Sequence, residues 1–142
     1  MEKKGKFAGL LCLIQFILGL LMSAGVRFVF HACSAMTEDC KPCVDAQNAV
    51  VAFGLALAVI AILAFILRDP HTRLGLAIAR IPVAAAAMLV PGHLISLCMM
   101  PEMRCRSVMY PAVMIFGALV IIVAVIELLV NGIGGRPHRK EV

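Results

Sequence analysis

The stretch QNAVVAFGLALAVIAILAFIL, residues 47–67, decides the fold of this chain. It holds no charged residue and no proline, and at 1.5 Å per residue it covers about 30 Å, the thickness of bilayer hydrocarbon. In hydrocarbon every backbone N–H and C=O must find its partner within the segment, so the stretch reads as a transmembrane helix. Three others match it: Phe7 to about Val26, Leu74 to about Leu97, and Val108 to Val130. The connecting segments, about 27–46, 68–73 and 98–107, are short, which makes consecutive helices antiparallel neighbours. The expected fold is all-α: a single integral membrane domain over residues 1–142, an antiparallel four-helix bundle with two outer loops.

Composition agrees. Apolar residues make up 63% of the chain and charged ones 15%, against about 45–50% and about 25% in globular proteins. A soluble domain of this length has too little interior for them, so the lipid bilayer is the solvent. The formal charge of +5 follows from topology. Lys3, Lys4, Lys6, Arg68, Arg73, Arg136, Arg139 and Lys140 fall on one side; Arg27, Lys41, Arg104 and Arg106 fall on the other. The positive-inside rule places both termini in the cytoplasm. Neither nucleic acid nor an anionic-lipid role for the tails is needed to explain the charge. The lysines before Phe7 also suit a signal peptide, but the apolar run is long and no small-residue cleavage site follows, so the helix reads as retained.

The cysteines sort by the same topology. Cys12 lies within the first helix, whereas Cys33, Cys40, Cys43, Cys98 and Cys105 all fall at the outer end. Thiols gathered on an oxidising face read as a disulfide framework, in which Cys33–Cys43 and Cys98–Cys105 are the preferred pairs among 15 arrangements of two bridges from five thiols.

Cys40-Lys41-Pro42-Cys43 has a second reading. A Cys-x-x-Cys at a helix N-terminus beside a lysine favours the thiolate, so Cys40 would attack and Cys43 resolve, with Cys98 and Cys105 as a relay pair. One cysteine pair per outer loop of a four-helix bundle resembles the layout of disulfide-bond formation protein B and of vitamin K epoxide reductase. Those proteins reduce a quinone, for which only Gln47 and Arg27 are candidates here. A third reading is copper or zinc binding. His31, Cys33, Met36, Cys40 and Cys43 share one loop, and His93, Cys98, Met99, Met100, Met103 and Cys105 lie on or beside the other. Soft sulfur ligands select Cu(I) or, with histidine, zinc. No cofactor is expected.

Two charges stand at bilayer depth. Arg80 is two turns into the third helix and Glu127 one turn from the end of the fourth, both in the inner leaflet on adjacent antiparallel helices. Such groups usually face the bundle interior with a partner, so the two are expected to pair or to face a partner subunit; the alternative is that each snorkels separately to the interface. Pro82 and Pro91 are expected to kink the third helix. Gly54 with Ala58, and Gly75 with Ala79, are small residues at four-residue spacing that permit close helix approach.

Several segments carry a family resemblance: Arg73-Leu74-Gly75-Leu76, Pro91 with Leu94-Ile95, Cys98-Met99, Met103 with Cys105-Arg106, and Pro111, together with Cys43, Ala46-Gln47 and Gly54. The chain resembles, from about Phe7 to Leu129, the bacterial four-helix membrane family known as domain of unknown function 4418. The resemblance implies a bacterial plasma-membrane protein without an assigned activity. It matches Cys33, Cys43, Cys98 and Cys105 to the family's usual cysteines but leaves Cys40 unmatched, which weakens the redox reading. It also implies an accessory role beside an export-type ABC transporter. The expected function is thus a non-catalytic accessory subunit of a larger membrane complex, with a disulfide-stapled outer cap. A thiol–disulfide oxidoreductase and a metal-binding protein are the alternatives.

Overall fold

In the computed structural model, which describes residues 2–29, 41–96 and 105–134, the chain is all-helical. Helix α1 (Glu2–Ala24) runs into a π-helical turn at Gly25–Val29; α2 spans Lys41–Ile66 and α3 spans Pro70–Leu89. A second π-helical turn, Cys105–Met109, leads into α4 (Tyr110–Gly134). All four are long and apolar enough to cross a membrane.

Neighbouring helices are antiparallel. Gly9 and Gly19 of α1 lie against Phe65 and Ala58 of α2, and Gly117 of α4 lies beneath Met88 of α3. The bundle is built from two intimate pairs, α1 on α2 and α3 on α4, joined by smaller α2–α3 and α1–α4 seams. One apolar core, including Met22, Val50, Leu57, Ala87, Val113 and Val120, runs between them.

Glycine sets the α1–α2 distance. A Cβ at Gly19 would stand 2.9 Å from the Ala58 nitrogen and 3.0 Å from the Gly54 carbonyl oxygen, and one at Gly54 would stand 3.1 Å from Ser23. These neighbours are mostly backbone and cannot swing aside, so the two helices touch main chain to main chain. The tight α2–α3 connection has its own clasp. Pro70 opens α3 with no N–H to satisfy. Arg73 Nε donates to the carbonyls of Ala64 (3.0 Å) and Leu67 (3.3 Å), which α2 leaves unpaired at its C-terminus.

α1 begins at Glu2 and α3 at Pro70, ahead of the expected Phe7 and Leu74, and α4 runs past Val130 to Gly134; two further limits change which residues belong to the outer loops. α3 stops at Leu89 instead of reaching Leu97, so Pro91 does not kink a helix but follows its end. Gly92, at φ 94°, reverses the chain there; its N–H bonds the Ile95 carbonyl at 3.0 Å, and Ile95 N–H returns to the Val90 carbonyl at 3.0 Å. Proline lacks the N–H to continue the ladder, and only glycine takes that φ without strain. α3 continues unbroken through Pro82, whose side is exposed. At the other loop, α2 begins at Lys41, six residues before the expected Gln47. Cys43 is therefore helical and fully buried, not a loop residue.

Candidate intramembrane polar site

Among the described residues, the buried charges meet at one level, in the half of the bundle that carries the N-terminus. Arg80 is about 15 Å along α3 from Pro70, and Glu127 is about 8 Å from Gly132 on α4, at 1.5 Å per residue. Both are 0% exposed. Arg80 Nη1 donates to Glu127 Oε2 at 2.5 Å. The other carboxylate oxygen, Oε1, accepts from the Cys12 thiol of α1 at 3.3 Å. One turn further along α1, Gln15 Nε2 donates to the Val120 carbonyl of α4 at 3.0 Å. Three helices thus meet on one carboxylate.

The energetics explain the arrangement. A lone charge at this depth costs several kcal/mol, and a paired one is tolerated because the two cancel. The α3–α4 pair and the α1 thiol hold Glu127 from two sides. Glu127 takes one of the five guanidinium donors, and among the described residues Arg80 Nε and Nη2, with Gln15 Oε1, have no hydrogen-bond partner. The site is a polar clasp. Its carboxylate lies between a thiol and a guanidinium, with all three groups closed off from the membrane surface.

Of the residues singled out from sequence, the structure brings Arg80 and Glu127 together. Their third and fourth companions, Cys12 and Gln15, were missed, although Gln15 is the one amide within the first apolar run and lies three residues after Cys12, on the same helix face. Cys33, Cys40, Cys98, His31, Met36, Met99, Met100 and Met103 lie outside the described residues, as does the side chain of Cys105. The two placed thiols, Cys12 and Cys43, are buried and do not bridge each other. His93 is exposed beside Gly92, at the mouth of a cavity of about 270 Å³ shared with Ser96, Arg106 and Tyr110. Among the described residues no three His, Cys, Asp or Glu side chains converge as a metal site.

Neither a curated protein nor a solved structure matches the chain. A family model described as Domain of unknown function (DUF4418) matches residues 15–130. That range holds Gln15, Arg80 and Glu127, and all but the first part of the four-helix framework. The chain, a four-helix protein of the lipid bilayer, therefore belongs to the DUF4418 family.

Proposed function

We infer that the chain is a non-catalytic accessory subunit that lies beside a larger membrane protein, such as an ABC transporter, and offers α3 to it. The outer face of α3 carries this reading. α3 is the least covered span, with 22% of the span buried against 28–39% for the others. A span left this open, with small side chains along its open side, gives a protein partner room to pack closely. Along the open side, Gly75 and Ala79 are exposed four residues apart, Pro82 follows, and a Cβ at Gly75 meets nothing within 4 Å. A second helix gains van der Waals contact by lying close on such a strip.

The sulfur-bearing end is read as extracytoplasmic, because eight basic residues mark the opposite side against four here. Bridges there would constrain loops that have little core of their own. Cys43 is fully buried in the first turn of α2, where a bridge would tie the outer loop to the bundle core.

The test is disulfide or photo-crosslinking in native membranes from Ala79→Cys, with Ile122→Cys on the lipid-exposed side of α4 as control. A single stoichiometric companion captured from Ala79→Cys and not from Ile122→Cys is the expected result. No companion, or equal capture from both positions, overturns the reading.

A further inference from the structure

A trough on the α1–α2 side of the bundle meets the polar clasp only at Cys12. Its mouth, at the end where α1 begins, is a cavity of about 790 Å³ rimmed by Lys6, Arg68 and Arg73. Leu10 and Leu13 of α1 and Phe65 of α2 form its walls. Leu13 and Phe65 also line a second hollow of about 180 Å³ with Cys12, Phe16, Ala61 and Ile62, which offers no polar surface. The two hollows share Leu13 and Phe65 along the helix seam, the larger cationic at its rim and the smaller apolar.

The lining of the larger cavity includes two glycines that internal packing does not require. A Cβ at Gly5 would meet nothing within 4 Å, and one at Gly9 would only touch the Phe65 ring at 3.8 Å. Gly19 and Gly54 differ, since a Cβ there meets atoms, mostly backbone, at about 3 Å. Each glycine in a helix costs about 0.5–1 kcal/mol relative to alanine. At Gly5 and Gly9 the compensation is not helix contact; it is open space beside three cations. One of those cations is held rigid, because Arg73 Nε is bound to the Ala64 and Leu67 carbonyls.

We propose that the trough binds one anionic phospholipid. The phosphate sits among Lys6, Arg68 and Arg73, and an acyl chain lies over Gly9 against Leu13 and Phe65. Charge complementarity selects the occupant. Among the described residues the lining carries Lys6, Arg68 and Arg73 and no acidic side chain, which suits a headgroup of net negative charge, and a zwitterionic lipid carries its own cation into the same space. The apolar extension distinguishes a lipid phosphate from a free one. The site is separate from the α3 strip, so neither proposal depends on the other.

Native mass spectrometry of the full chain in neutral detergent tests this, titrated in turn with dioleoyl phosphatidylglycerol, dioleoyl phosphatidylcholine and inorganic phosphate. One retained phosphatidylglycerol is expected, not displaced by millimolar phosphate, with weaker retention of phosphatidylcholine. Arg68 is exposed, so Arg68→Gln should fold normally and lower phosphatidylglycerol retention about fivefold, the effect of about one cation near the membrane surface. Gly9→Leu keeps all three cations, fills the open space and should abolish retention, with the unfolding temperature reporting its fold. Equal retention of the two lipids, displacement by phosphate, or unchanged retention in Arg68→Gln overturns the proposal.

Discussion

The chain contains two small-residue pairs of identical spacing, and the structure treats them oppositely. Gly54 and Ala58 of α2 are closed over by α1, whose Gly19 backbone approaches within about 3 Å of where a Cβ would stand. Gly75 and Ala79 of α3 face outward with nothing against them. α3 is held to the bundle by other means: the Arg80–Glu127 ion pair and the Met88 side chain lying across Gly117. A small-xxx-small pair marks a capacity for close approach. Which helix, or which other protein, uses that capacity is decided elsewhere.

This contrast can be broken most forcefully at the charge that substitutes for close packing on α3. Glu127→Ala strands Arg80 in the interior and is expected to destabilise the bundle by about 3–5 kcal/mol, read as a fall in unfolding temperature in a fixed detergent. Arg80→Met combined with Glu127→Leu removes both charges and should recover most of that loss. A double variant as unstable as Glu127→Ala would show that the clasp does more than neutralise.

A smaller loss is expected at the closed pair. Gly54→Leu forces a side chain against the Gly19 carbonyl and Ser23 and should cost about 1–3 kcal/mol or prevent α1 docking, as overpacking does. Unfolding in the same detergent measures it. The smallest effect on the isolated chain belongs to Gly75→Leu. With no neighbour within 4 Å, it should shift stability by no more than about 0.5 kcal/mol while abolishing crosslinking from Ala79→Cys. Loss of stability in Gly75→Leu would mean that the α3 strip is closed within the chain itself.

The four spans were legible because hydropathy adds up along the chain, and Arg80 with Glu127 was legible because charges within apolar runs stand out and must be neutralised. Cys12 and Gln15 were harder to see. A thiol is apolar enough to pass unnoticed in a membrane helix, and a single amide has no obligatory partner type. Helix limits were misplaced where local chemistry outweighed apolarity: Pro91 and Gly92 end α3 inside a still apolar stretch, and Pro42 lets α2 begin within a polar one.

From residues alone came the solvent, the number of helices, the pairing of adjacent helices that short connections enforce, and Arg80 with Glu127 as candidates for an ion pair. Tertiary structure alone decided how far each helix is rotated about its own axis. That rotation put Cys12 on Glu127, closed Gly54 while leaving Gly75 open, and set Gly5 and Gly9 in the lining of a trough rimmed by cations. The physical reason is that hydrophobicity in a membrane fixes a helix's depth but hardly its facing, since lipid is as apolar as leucine; facing is settled by contacts between helices.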